Sequence, residues 1–135
     1  PKKFHLFNLD LAKEKIRETD YAFVVEGYFD SLTMNSFGLE NNVAICGTRL
    51  TDWHAAKLFR YCSNVFALLD GDEAGKKALE HIKETLGDVN MNLKVISLPE
   101  GYDPDTFLLK FGPKIINKAV SRMFEKELEE INLKL

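Results

Sequence analysis

Four short apolar runs punctuate the chain, separated by segments with helical spacing. They are Tyr21-Ala22-Phe23-Val24-Val25, Val43-Ala44-Ile45-Cys46, Val65-Phe66-Ala67-Leu68-Leu69 and Leu93-Lys94-Val95-Ile96-Ser97-Leu98. Continuous apolar runs of this length are the signature of strands buried on both faces, as in a parallel sheet covered by helices. The intervals supply those helices. Phe29 to Phe37 predicts one, stopped by Gly38. Thr51 is placed to cap another, in which Ala55, Leu58, Phe59 and Cys62 fall on one face. Ala78, Leu79, Ile82 and Leu86 mark a third, with Gly87 expected just beyond its end. Alternating strands and helices predict βαβ units with right-handed crossovers. The expected fold is therefore an α/β open parallel sheet of about four strands flanked by helices, spanning residues 21–112. Residues 1–20 precede it as a leader, helical from Leu9 to Ile16. Residues 113–135 follow as a C-terminal helix, with Ile116, Val120, Phe124 and Leu128 as its apolar stripe.

Composition narrows the class. The chain has 135 residues and is 45% hydrophobic, enough to bury a core. No apolar run approaches the ~20 residues of a membrane span, and no signal-peptide pattern opens the chain, so a cytoplasmic location is expected. With no initiator Met before Pro1-Lys2-Lys3, the chain is expected to be a trimmed piece of a longer protein. Cys46 and Cys62, both flanked by apolar residues, are expected as reduced core residues, with no zinc-ligand spacing around them. The net charge of -3 is not that of a general nucleic-acid binder. With six candidate site acids set aside, however, the remaining balance turns positive.

Those acids collect where an open α/β sheet binds ligands, at the carboxyl ends of its strands. Glu26 ends the first run, with Asp30 one helical turn further on. Asp70 and Asp72 end the third, and Asp103 and Asp105 follow the fourth after a Pro99-Glu100-Gly101-Tyr102 turn. Gathered carboxylates repel one another unless a cation accompanies them. Hard oxygen donors in an open shell suit Mg2+ or Mn2+, which then engages substrate phosphates. Gly71 lets the loop between the two aspartates turn sharply. Each motif alone also has a plain reading. Asp70-Gly71-Asp72 is a common turn, and Asp103-Pro104 is a good helix start, with Asp103 as cap. Their coincidence at successive strand ends favours a site. Lys57, Arg60, Lys76 and Lys77 are candidate contacts for nucleic acid or nucleotide, and equally residues of solvated helix faces. His54 and His81 are expected as surface or packing residues, and Trp53 as core.

Taken together, Glu26-Gly27-Tyr28-Phe29-Asp30, Asp70-Gly71-Asp72-Glu73-Ala74-Gly75 and Asp103-Pro104-Asp105-Thr106 resemble the Toprim domain, and more narrowly that domain in bacterial DnaG-type primases. Gly47-Thr48-Arg49-Leu50-Thr51 and the lead-in Phe4-His5-Leu6-Phe7-Asn8-Leu9 fit the same pattern. Phe29 stands where the primase motif usually has Met. The resemblance implies a Toprim-like fold and a magnesium- or manganese-dependent nucleotidyltransferase that makes RNA primers on a single-stranded DNA template from ribonucleotides. It implies that Glu26 acts in acid/base chemistry or metal binding, and that Asp70, Asp72, Asp103 and Asp105 hold metal, supported by Asp30. It further implies that residues 1–20 come from the upstream part of the primase core, and that a replicative helicase is met through regions outside this chain. Alone, the chain is expected to bind metal and to prime poorly or not at all.

Three rivals stand beside this reading. A Toprim nuclease or topoisomerase relative would use the same acids for strand cleavage; Tyr28 is then more a packing residue than a nucleophile. A phosphatase with Asp70 as nucleophile conflicts with Ala74 and with the strand that precedes. A non-catalytic module binding nucleic acid or a partner would show no metal dependence.

Overall fold

The computed structural model describes residues 4–47 and 49–134. Thr48, within the predicted Gly47–Thr51 motif, lies outside the described residues, as do Pro1, Lys2, Lys3 and Leu135. The elements run α1 (Leu9–Thr19), β1 (Tyr21–Val25), α2 (Tyr28–Ser36), β2 (Asn42–Ala44), α3 (Asp52–Phe59), β3 (Asn64–Leu69), α4 (Glu73–Asp88), β4 (Asn92–Ser97), α5 (Pro104–Phe111), α6 (Lys114–Glu125) and β5 (Glu130–Asn132). All four predicted strands form, within about a residue or two of the apolar runs. A fifth, β5, joins them to give a sheet of order β2-β1-β3-β4-β5 in which every pairing is parallel. No helix among the described residues is long and apolar enough to cross a membrane.

The strands alternate their side chains between two cores. Ala22, Val24, Val65, Ala67 and Leu69 pack with α1, α3 and α4. Phe23, Val25, Phe66 and Leu68 pack with α2, α5 and α6 on the opposite face. Within the leader, residues 6–16 are integral to this packing, because Leu6, Leu9, Ala12 and Ile16 are buried in the first core. Phe7 also closes the outer edge of β2 with a one-residue antiparallel bridge to Ala44. Behind it, buried Asn42 donates through Nδ2 to Asn35 Oδ1 and the Leu39 carbonyl, each at 2.8 Å, while its Oδ1 accepts from Ser31 Oγ at 2.6 Å. At the other edge, α6 buries Ile116 and Val120 as expected, Met123 joins them, and Phe124, though 40% exposed, packs its ring on Phe66 and Tyr21 with centres 5.4 and 5.7 Å away. The helix stops at Glu125, so Leu128 reaches the core from the turn beyond it.

Other local differences have simple causes. Phe59 is 56% exposed, because His54, Ala55 and Leu58 make the inner face of α3 and Phe59 falls to the side of it. Cys62 takes the inward place beyond it, and both cysteines are buried and not joined in a disulfide. Burial pushes the Cys62 thiol up to about 12. His54 is fully buried: its Nδ1 accepts the Thr51 N–H at 3.0 Å, and Nε2–H donates to the His5 carbonyl at 2.8 Å. Trp53, expected in the core, is instead 38% exposed. Gly38, with φ +83°, ends α2 as predicted, since Leu39 N–H reaches back to Met34 O and Gly38 N–H to Asn35 O.

Two glycines in α4 behave oppositely. A Cβ on Gly75 would lie 2.1 Å from the Asp70 carbonyl oxygen, whereas one on Gly87, inside the helix rather than beyond its end, meets nothing within 4 Å. Gly75→Ala is expected to lose about 1–3 kcal/mol by overpacking. Gly87→Ala should gain about 0.5–1 kcal/mol from helix propensity. Urea unfolding midpoints at constant m-value check both, and the opposite order would contradict this packing.

Candidate functional site

The order in which successive strands join the sheet reverses between β1 and β3. The β1 strand leads through α2 to β2 on one side, and β3 leads through α4 to β4 on the other. The two following helices lie on opposite faces, since Met34 of α2 belongs to one core and Ile82 of α4 to the other. The loops after β1 and β3 therefore part, opening the crevice in which α/β sheets bind ligands. Glu26 and Asp70 stand at its two sides and are joined by the Asp70 N–H, which donates to Glu26 Oε1 at 3.4 Å.

Asp72 and Asp103 cap helices on either side. Asp72 Oδ1 accepts the Gly75 N–H at 2.7 Å to start α4, and Asp103 Oδ1 accepts the Thr106 N–H at 2.8 Å to start α5. Each commits one oxygen to its helix; no hydrogen bond engages the other among the described residues. Asp70, Gly71, Asp72, Gly101, Tyr102 and Asp103 together line a hollow of about 170 Å³. Its walls touch because position 71 is glycine: a Cβ there would lie 3.0 Å from the Leu98 carbonyl and 3.1 Å from that of Pro99.

Asp30 and Asp105 form a different arrangement. Asp30 Oδ2 accepts the Gly27 N–H at 3.2 Å, and its Oδ1 accepts the Asp105 N–H at 3.1 Å. The Asp105 carboxylate in turn accepts a hydrogen bond from the Thr33 hydroxyl. These contacts clamp the start of α5 to α2. Sequence spacing does not announce Thr33, because its partner lies 72 residues away.

Electrostatics separates the groups. Burial raises the pKa of Glu26, helped by the charges of Asp70, Asp72 and Asp30, while the hydrogen bond from Asp70 opposes the shift. Burial likewise raises Asp70, with Asp103 and Asp72 adding to it. Asp30 rises to about 6, chiefly through burial, against two backbone hydrogen bonds and with repulsion from Asp103 and Asp70. Glu26, Asp30, Asp70, Asp72 and Asp103 thus form one coupled set. Asp105 enters it only through its N–H. Asp70 Oδ1 is buried with no hydrogen-bond partner, a costly state for a carboxylate oxygen. Among the described residues, no three of these side chains already converge into a closed metal shell.

The basic candidates divide by position. Lys76 and Lys77 lie in the first two turns of α4, next to Asp72, and Lys76 pairs with Glu73 at 3.2 Å. Lys57 sits over the Trp53 ring, 5.5 Å from its centre. Arg60 ends α3 just before β3 begins, so it lies at the opposite end of the sheet from the acids. Tyr28 packs edge-on against Phe7 with ring centres 4.8 Å apart, in keeping with a packing role.

An open parallel sheet with acids at the β1, β3 and β4 ends, meeting at the switch point, defines a Toprim-like domain. The Toprim-like family profile matches residues 23–108, and the chain belongs to that family. Within it, the chain is similar to primases. It is 41% identical over 117 residues to a DNA primase of Aquifex aeolicus, covering 87% of this chain and 24% of that one. A Staphylococcus aureus DNA primase is 38% identical over 107 residues, covering 79% of this chain and 18% of the relative. The chain therefore spans about a quarter or less of the length of these relatives. Among solved structures, the zinc-binding and RNA polymerase domains of the Aquifex aeolicus primase superpose with a TM-score of 0.84 at 40% identity, over 90% of this chain and 30% of that one. A DnaG primase catalytic domain bound to single-stranded DNA gives 0.81 at 33% identity, over 90% of this chain and 40% of that one.

The raised carboxylates set a sign for pH dependence. A folded-state pKa above the unfolded value means the fold holds extra protons between the two, so stability falls as pH rises through that window. For Asp30 the window runs from 3.8 to about 6. The cation-free chain is expected to lose thermal stability across it, and Asp30→Asn to flatten the slope even though one capping bond is weakened. Melting temperatures from pH 4 to 7 in EDTA check this; an unchanged slope contradicts it.

Proposed function

We propose that this chain is the catalytic, metal-holding part of a DnaG-type primase, serving RNA primer synthesis on single-stranded DNA in the cytoplasm. The observation that carries the reading is Asp70 Oδ1, buried, unbonded and set among four other coupled acids. Hard carboxylate oxygens with one left unsatisfied fit Mg2+ or Mn2+. Asp70, Asp72 and Glu26 would hold the ion, with Asp103 at the far wall. When bound, a divalent ion there supplies charge neutralisation for nucleotide phosphates. The chain's own residues do the positioning. Glu26 holds the Asp70 loop through its N–H and, with its raised pKa, is suited to hold or take up a proton at Oε1. Asp72 and Asp103 remain fixed by their helix caps. Asp30, Asp105 and Thr33 position Asp103 by tying α5 to α2, and Asp105 acts here as a positioning residue more than a ligand. Lys76 and Lys77 are the basic residues placed to meet phosphates. Template and ribonucleotides are the partners that the similarity to primases supports, solved relatives including one bound to single-stranded DNA, and a replicative helicase would be met through other parts of the longer protein.

Magnesium or manganese is expected to raise the melting temperature of the chain, and Asp70→Asn to stabilise the cation-free form while abolishing that rise. Calorimetry with Mn2+ measures the affinity directly. Equal binding by wild type and Asp70→Asn would overturn the site. The chain alone should make little or no primer on a single-stranded template; cleavage of that template with magnesium would favour the nuclease reading.

The clamp makes a separate forecast. Asp105→Asn keeps a carbonyl oxygen for the Thr33 hydroxyl and should retain Mn2+ affinity within about threefold. Asp103→Asn should weaken it by about tenfold or more, the scale of losses at metal sites. The reverse order would make Asp105 the ligand.

A further inference from the structure

One corner of the sheet is thinly covered. The steps from β3 to β4 and from β4 to β5 go the same way across the sheet. Yet α4 lies on one face and α5 and α6 lie on the other, so the two crossovers have opposite hands. The bond from the Asp105 N–H to Asp30 holds α5 on the α2 face. A parallel sheet is ordinarily covered on both faces. Here α4 is the last helix on its face among the described residues. A cavity of about 220 Å³ opens between its first turns and the ends of β3, β4 and β5.

The walls of this cavity differ in character. Leu79, Val95 and Leu98 make an apolar side. Ser97 and Asn132 make a polar side: they are register partners in β4 and β5, so their side chains stand next to each other. Two residues before Asn132, Glu130 reaches Lys83 of α4 at 3.7 Å, which marks the face that the pair shares. Among the described residues, nothing hydrogen-bonds the Ser97 hydroxyl or the Asn132 amide. The last wall is the Asp70–Gly71 backbone, which is also the back of the carboxylate hollow.

These groups define a ligand. A hydroxyl beside a carboxamide can both give and accept hydrogen bonds, and suits a ligand edge that carries a donor next to an acceptor. Charge disfavours an ion. An anion would face Asp70 and the acids coupled to it, and a cation would meet Lys76, already paired with Glu73 at 3.2 Å. Apolar walls with a few placed polar groups are the usual make-up of a small-molecule site, and this one has room for about one ring.

We propose that the cavity binds a small uncharged aromatic carboxamide, with the carboxamide on Ser97 and Asn132 and the ring on Leu79, Val95 and Leu98. Because the Asp70–Gly71 backbone is its wall, a ligand there braces from behind the loop that carries the Asp70 carboxylate. Ligand and cation then favour each other's binding, by the same factor in both directions. Ligand binding stands on the cavity alone, and the coupling rests on the metal-holding reading.

Benzamide is the probe, titrated into the chain in EDTA and followed by methyl NMR shifts. Shifts are expected at Leu79, Val95 and Leu98. Benzoate, of the same shape but charged, should bind about tenfold more weakly or not at all. Ser97→Ala and Asn132→Ala should each weaken benzamide about fivefold, the scale of one net hydrogen bond, and leave the melting temperature unchanged. No benzamide shifts, shifts at other methyls only, or unchanged affinity in either variant overturns the site. Benzoate binding as well as benzamide overturns the choice of an uncharged ligand. Saturating benzamide should raise Mn2+ affinity about fivefold, the low end of usual couplings. Unchanged Mn2+ affinity with benzamide bound overturns the coupling. If benzamide shifts these methyls but no Mn2+ binds, the cavity stands and the metal reading fails. If Mn2+ binds, is lost in Asp70→Asn, and benzamide shifts nothing, the metal reading stands and the cavity fails.

Discussion

Everything at the functional edge of this domain follows from holding like charges together. Five coupled carboxylates surround the switch point, and nothing among the described residues neutralises Asp70, whose Oδ1 has no partner. Coulomb repulsion in a half-buried setting would drive these groups apart if their loops were free. They are not free. The Asp70 N–H is tied to Glu26, Asp72 and Asp103 are tied to helix starts, and Asp30 is tied to Gly27 and Asp105. Backbone N–H groups provide most of this restraint. A charge cluster held by backbone donors is preorganised, so a cation entering it does not have to order the loops first.

The same bonds explain why the plain and the functional readings of the motifs are both correct. Asp103 before Pro104 is a helix cap, and so is Asp72. Capping uses one oxygen of each carboxylate and fixes the direction of the other. A residue that only capped would serve as well in the form of Ser or Thr. The choice of Asp at both positions, together with Asp70 between them in space, is what capping alone does not explain. Gly71 and Gly75 belong to the same logic, since a Cβ on either would force apart the loops that carry the acids.

Legibility in the chain tracks how local each signal is. The four apolar runs were plain because each strand is buried on both faces, so burial itself writes the pattern. The strand β5 was not, because Glu130-Ile131-Asn132 carries one apolar residue and lies at the sheet edge. Strict i+4 spacing in α6 misses Met123, because a helix of 3.6 residues per turn rotates off that line, bringing Met123 fully inward and leaving Phe124 at the margin of the core. Burial of His54 leaves no trace in the sequence, since its ring bonds backbone groups, one of them 49 residues away. Similarly, acids at strand ends could be placed from the sequence, but not their separation into a coupled set and a clamp. That separation depends on Thr33 meeting Asp105 across the α2–α5 contact.

Both layers of the domain converge on the site. Asp72 starts α4, which packs on one face of the sheet, while Asp30 and Asp103 belong to α2 and α5 on the other. Glu26 and Asp70 lie between, at the sheet edge itself. Neutralising this cluster therefore removes repulsion between elements that share no core. The stabilisation a cation provides is then not confined to one loop: it bears on how the α2–α5 layer and the α4 layer sit relative to each other. A cation bound at the switch point is then expected to tighten both layers together, because that is where they meet.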